Sequence, residues 1–235
     1  MMGSKKPLVW IAAALLFLGA ILPAIPAFAD DKQEAMQLVE KARSAFEGFM
    51  ADGKMEPFHG LVRKSRGILI APQVLKGALV VGASGGNGVL VVRDEKTGRW
   101  NGPAFYTIGG VSYGLQIGGQ ASELVLLVMT ERGVSSLLSN SLKLGADVGI
   151  AAGSVGAGAS ASTANLSADI LAFSRSKGLY GGISLDGAVV EVRDSLNNAY
   201  YGKHVTPTDI LVKHDVSNPH SDKLRASLSR ISSGK

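Results

Sequence analysis

Two five-residue stretches set the first chemical question. Residues 82–86 read GASGG and residues 110–114 read GVSYG, and both fit the G-x-S-x-G pattern around the nucleophilic serine of many lipases and esterases. In such an enzyme Ser84 or Ser112 would attack an ester carbonyl, with His204 or His214 as base and Asp186 to orient it, an order the chain permits. The elbow also requires strand, sharp turn and then helix, because the turn and the helix N-terminus expose the hydroxyl. Ser84 is followed by GGNGVLVVRD and Ser112 by YGLQIGGQ, and neither continuation reads as helix. With 30 glycines in 235 residues, chance matches are expected. The sequence therefore predicts no catalytic residue, with a serine esterase or lipase as the alternative.

Other chemistries are weaker. GAGASA at 156–161 resembles a G-x-G-x-x-A dinucleotide loop, yet no helix pattern follows it, and no G-x-x-x-x-G-K-[ST] occurs. His59, His204, His214 and His220 never pair at an i, i+4 spacing and carry no carboxylate cluster, so no metal and no cofactor is predicted. The cations say more. LVRKSRG places Arg63, Lys64 and Arg66 within four positions, Lys76 follows, and FSRSKGLYGG sets Arg175 and Lys177 beside Phe173, Leu179 and Tyr180. Cations mixed with aromatic and apolar groups suit an anionic lipid surface: each contributes about 1 kcal/mol at the headgroups, while aromatics favour the interface. The plainer alternative is a pair of solvated loops.

These residues need elements to position them. Residues 30–52 predict an amphipathic helix, since Met36, Val39, Ala42, Phe46 and Phe49 recur at three- and four-residue steps, with Asp30 and Asp31 at its start and Gly53 as its stop. Its apolar face either packs on the body or enters a lipid interface; spacing favours packing. From Gly67 to Tyr201 short β-branched runs alternate with glycine clusters, of strand length. Asp94 to Gly98 reads as a hairpin tip, and Glu131–Ser141 as the one helix of this region. The small-residue stretch 145–163 reads as close-packed strand and turn, with disorder as the alternative. TDILVK, after Pro207, reads as a last strand or a helical turn. The tail from Ser217 reads as polar and mobile; Leu224, Leu228 and Ile231 at helical spacing, with Lys223, Arg225 and Arg230, make a short basic helix the other reading.

The beginning reads as an export signal. Lys5 and Lys6 precede the apolar run Leu8–Leu22, and Ala27-Phe28-Ala29 matches an A-x-A cleavage site, which predicts residues 1–29 as signal peptide and Asp30 as the mature start. The rival is a retained anchor, though the run is shorter than the roughly 20 residues of a membrane span. Without Lys5 and Lys6 the charge is +3, 22 bases against 19 acids, too small to argue for nucleic acid. Cysteine is absent, which excludes disulfides and thiolate chemistry. An exported chain of this kind fits a bacterial periplasm or cell envelope.

Several motifs in fixed order then become specific. RGILIAPQVLKGALVVGASGGNGVLVVRD, WNGPAFYTIGG, GLQIGGQASELVLLVMT, LKLGADVGIAAG, FSRSKGLYGGISLDGAVV and NNAYYG together resemble the SYLF lipid-binding domain family over roughly residues 36–214, and the bacterial exported branch is the most similar in character. The resemblance implies a non-enzymatic module that binds membrane lipids, phosphoinositides in eukaryotic members, some of which also bind actin; for this chain it implies anionic membrane lipids as partners, with actin only by analogy. It carries lipid binding onto the helix Met36–Phe49, onto Arg63, Lys64 and Arg66, and less directly onto Lys76, Arg175 and Lys177. It also assigns the glycines to the fold: Gly82, Gly85, Gly86 and Gly88 as a tight link between two strands with Ser84 a turn residue, and Gly109, Gly110 and Gly114 as a bend in the sheet. The expected architecture is α+β. It has a curved, mainly antiparallel sheet or barrel-like core, an N-terminal amphipathic helix and one or two short helices. Residues 30–214 form the domain and 215–235 a basic, Ser-rich tail. A structural envelope protein that binds a protein partner is a further alternative.

Overall fold

The computed structural model describes residues 27–78, 81–113, 118–152, 168–176, 179–181 and 185–232. Helix α1 spans Ala27–Ala51. Val39, Ala42, Phe46 and Phe49 are buried, whereas Met36 is 36% exposed, so the periodic face packs on the body. Arg43 bridges Glu40 and Glu47 on its outer side (3.2 and 2.8 Å). After a 3₁₀ turn at Gly53–Met55 comes a helix that the sequence reading missed, α2, Glu56–Lys64. It stops at Ser65, whose hydroxyl donates to the carbonyl of Val62 (2.8 Å).

Nine strands form one sheet: β1 (Gly67–Ala78), β2 (Val81–Arg93), β3 (Trp100–Tyr113), β4 (Gly118–Val128), β5 (Ser141–Lys143), β6 (Ile150–Ala152), β7 (Ile170–Ser176), β8 (Leu179–Gly181) and β9 (Val189–Val192). Their order is β5-β9-β3-β2-β1-β4-β7-β6, with β8 on β7, and among the described strands only the β6–β7 pair is parallel. Strands β5 and β6 stand at opposite ends of that order, yet only residues 144–149 join them. Eight flat strands would hold their edges about 34 Å apart; the connection reaches about 25 Å at most. The sheet therefore curls. Its edges meet where Leu144 pairs with Val148, Leu144 N–H donates to Ala188 O (2.8 Å) and Ile170 N–H to Gly149 O (3.0 Å). The α+β class and the curved, mostly antiparallel sheet match the expectation, as a half-barrel.

Both faces of the sheet are buried in its middle. On one, Ile70, Val91, Phe105 and Phe173 meet α1 and α2, with Phe58 and Phe173 ring centroids 4.9 Å apart at 72°. On the other, Leu69, Leu90, Tyr106 and Leu126 fill the inside of the curl, together with Leu142 and Val148 from the joined edges. Tyr106 donates to the carbonyl of Leu137 (2.6 Å) at the end of α3, Glu131–Leu137.

Three local expectations are corrected, and a fourth holds over its described part. First, α3 is not the one helix after Gly67, because α4 (Asp194–Tyr201) buries Leu196, Asn197, Ala199 and Tyr200. Asn197 gives β3 a side-chain partner where β9 stops: its Oδ1 accepts from Phe105 N–H (2.9 Å) and its Nδ2 donates to Phe105 O (3.2 Å). Second, the tail takes its helical reading over the described residues. Helix α5 (Asp222–Ser232) buries Leu224 and Leu228, and Ser227 donates to Glu47 of α1 (2.7 Å). TDILVK forms a π-helical turn at Asp209–Lys213, not a strand. Third, Gly82, Gly85, Gly86 and Gly88 are no link; they lie inside β2, and Ser84 is a mid-strand residue opposite Lys76 and Gly110. Gly109 and Gly110 likewise lie inside β3, and Gly114 falls outside the described residues. The reason is close approach. Pro72 cannot donate to a ladder, and the register of β1 shifts between Ile70 and Gln73. That bulge presses on β2, so a Cβ on Gly86 would collide with the carbonyl of Gln73, and one on Gly88 would stand 2.9 Å from Ile70 O. Fourth, of the stretch 145–163 the described part is a turn at 145–147 and β6; residues 153–163 lie outside the described residues.

Candidate functional site

The two serines are built into strands. Ser84 donates to the carbonyl of Gly110 (3.4 Å), and Ser112 pairs through its backbone with Gly82. Neither stands at a strand-to-helix elbow. The histidines have other surroundings: His220 meets Tyr200 (3.3 Å) and Glu40 (3.6 Å), His59 lies edge-on to Phe58, and His204 and His214 are exposed. Among the described residues no group of three or more His, Asp or Glu is placed to hold a metal ion, and no helix is long and apolar enough to cross a membrane.

The predicted cations separate. Arg63 and Lys64 are exposed in the last turn of α2, where cations oppose the negative helix end. Arg93 donates to the carbonyl of Arg63 (3.2 Å), which draws the β2–β3 turn, with exposed Lys96 and Arg99, to the same end of the molecule. Arg66 is also there but bridges Glu95 and Glu131. Asp94 folds the turn by accepting from Thr97 Oγ1 (2.7 Å) and N–H (2.6 Å), and that hydroxyl bond holds its carboxyl below the usual range. Lys96, Arg99 and Arg93 were not among the candidate residues; they are distant in sequence, and only the hairpin brings them to α2.

Lys76 lies ten strand positions beyond Arg66, about 30 Å along β1, at the opposite end of the sheet. Arg175 is in β7, donating from Nε to Glu123 (2.7 Å) with its guanidinium 5.0 Å from the centroid of the Phe49 ring. Lys177 lies outside the described residues. Three of the six predicted residues thus share one end, and Lys76 and Arg175 do not join them.

The far end of the sheet is different in kind. There β3, β2, β1 and β4 run past α1, and their helix-side face carries Leu75, 56% exposed, and Val111, 67% exposed. Leu75 stands opposite Gly85 and Ala121, and Val111 opposite Ala83. Where this face meets α1 lies a groove of about 750 Å³, with Lys41 and Ser44 on the helix wall, Gln73 from the bulge, and Ala121, Glu123 and Arg175 on the sheet wall.

A third cluster ties the ends of β4, β7 and β6 together. Asp169, buried just before β7, accepts from Thr130 Oγ1 (2.6 Å), Arg132 Nε (3.0 Å) and Gly149 N–H (3.0 Å). Arg132 holds its carboxyl at about 2, helped by Thr130. Thr130 also caps α3 by accepting from Gly133 N–H (3.0 Å).

A family model described as "Ysc84: Las17-binding protein actin regulator" matches residues 109–231, from within β3 through most of α5. The chain belongs to this SYLF family. Among its relatives are Protein YSC84 of Saccharomyces cerevisiae, 32% identical over 181 residues (75% of this chain, 38% of that protein), and the human SH3 domain-containing YSC84-like protein 1, 30% identical over 184 residues (77% and 53%). LAS seventeen-binding protein 3 of Saccharomyces cerevisiae is 31% identical over 168 residues (69% and 36%). The chain thus spans about half or less of the length of these SYLF relatives.

Proposed function

We propose that this SYLF domain is a non-enzymatic module that binds anionic lipid surfaces, exported to the cell envelope of a bacterium. The observation that carries the reading is the basic end: Arg63, Lys64, Arg66, Arg93, Lys96 and Arg99 against Asp94, Glu95 and Glu131. Cations on a helix end and a hairpin turn reach headgroups without unfolding anything, and each contributes about 1 kcal/mol near an anionic leaflet. Export rests on Lys5, Lys6, the run Leu8–Leu22 and the Ala27-Phe28-Ala29 site. A cut after Ala29 would remove only the first three residues of α1 and leave Asp30 and Asp31 at its start.

Replacing Arg63 and Lys64 together by Glu is expected to lower flotation with anionic vesicles at least tenfold and to leave neutral vesicles unaffected. The native binding should weaken from low to high salt, since exposed charges are screened beyond about 8 Å at physiological ionic strength. Equal flotation of both forms would overturn the reading. The family description and the name of the yeast LAS seventeen-binding relative favour a second reading, a protein partner at the same end. Capture of one protein that survives delipidation, without vesicle binding, is the outcome that would replace the first.

A further inference from the structure

The groove beside α1 differs from the basic end in its charges. Its walls carry three carboxylates, Glu40, Asp52 and Glu123, and two cations, Lys41 and Arg175. Arg43 bridges Glu40 and Arg175 bridges Glu123, so the groove presents both signs of charge close together, and a ligand carrying one phosphate and one ammonium finds an opposite charge for each. The volume, about 750 Å³, lies in the range of small-molecule sites. One wall continues directly into apolar surface, because Ala121, which lines the groove, is the strand partner of Leu75. Beyond Leu75 the same face holds Gly77 opposite Ala83 and Gly119. Among the described residues a Cβ built on Gly77 or Gly119 meets nothing within 4 Å, so these residues leave a shallow open trough from the polar groove toward the sheet end. A polar, two-signed pocket opening onto an uncovered apolar trough has the form of an amphiphile.

We propose that the groove seats the headgroup of a single zwitterionic phospholipid, phosphate toward Lys41 and ammonium toward the carboxylates, with its acyl chains along Leu75 and the glycine trough. The proposal rests on the lipid-binding reading for its ligand class, but it uses other residues and another end of the sheet. It separates two tasks: attachment to an anionic surface at the basic end, and removal of one lipid molecule at the groove.

The test uses the full chain and neutral phosphatidylcholine vesicles doped with fluorescent phosphatidylethanolamine. After the vesicles are removed, native mass spectrometry should show one zwitterionic phospholipid, phosphatidylcholine or phosphatidylethanolamine, per chain. Ser44→Trp, which fills the groove from exposed helix surface, and Lys41→Glu should each lower the recovered lipid at least tenfold with an unchanged circular dichroism spectrum. Ser44→Trp should still float with anionic vesicles. Wild type that carries no lipid, undiminished recovery in both variants, or equal uptake of phosphatidic acid, which lacks the ammonium, would overturn the proposal. Flotation without extraction sinks the groove and spares the basic end; extraction without flotation does the reverse.

Discussion

Strands β1 to β4 carry Ile68 to Ile70, Val89 to Val92, Ala104 to Tyr106 and Leu124 to Val128 in the half next to the basic end, all but fully buried. In the other half the same strands carry Leu75, Gly77, Ala83, Gly85, Gly109, Val111 and Gly119, and much of that face meets solvent. One ladder of hydrogen bonds runs through both halves. The difference teaches that backbone pairing alone sustains the sheet only because packed side chains anchor one end, which frees the other to present a thin, open surface. In this SYLF domain the packed half of these strands carries the core, and the open half carries the groove beside α1.

The largest expected loss tests the anchoring half. Phe58→Ala empties the junction of α1, α2 and β7 and should cost about 4 kcal/mol, lowering the melting temperature by about 10 °C. If Leu75→Ala cost as much, the contrast between the halves would fail. Next comes Asp169→Asn, expected to cost about 3 kcal/mol by leaving Arg132 and Gly149 N–H with a poorer acceptor. Its pH dependence has a definite sign. The folded carboxyl titrates at about 2, below its usual 3.8, so its stabilisation is complete above about pH 5 and is lost as pH falls toward 2. The gap in melting temperature between the native chain and the Asn variant should close over that interval; a constant gap would show that Asp169 acts by shape alone. A smaller effect sharpens the comparison inside the glycine half. Gly86→Ala should cost about 2 kcal/mol because its Cβ meets the bulged backbone, while Gly77→Ala, facing open space, should stay within about 0.5 kcal/mol of native. Equal effects in chemical denaturation would mean that the bulge sets no requirement.

How much of this was legible in the sequence follows from how strong each local signal is. Helix α1 was readable because its apolar spacing is regular over about four turns, from Met36 to Phe49. Helix α4 was not, because DSLNNAYY joins weak helix formers and its Leu196, Ala199 and Tyr200 make only one repeat. The strand through Gly82–Gly88 lacks the alternation that marks a half-buried strand, so it read as a turn; Pro72, which marks the bulge, lies on the neighbouring strand and gave no local signal. Sequence proximity also misled at the candidate site. Arg66 and Lys76 are near in number but far apart in space, since a straight strand converts each residue into about 3.3 Å. Conversely Asp169 and Gly149 meet because β6 and β7 pair in parallel, with Ile150 beside Ile170, which no window of residues reveals.

The pairing of the first and last helices has a consequence for the order in which the molecule can form. Phe46 and Val39 of α1 share a core with Leu196 and Tyr200 of α4 and with Leu224 and Leu228 of α5. A nascent chain that has not yet emerged past Asp194 lacks that cover, however complete its strands are. The opening helix can settle on β1 and β2 earlier, but one side of its apolar face stays open until the residues from Asp194 onward are made, so the first helix is among the last to be fully enclosed.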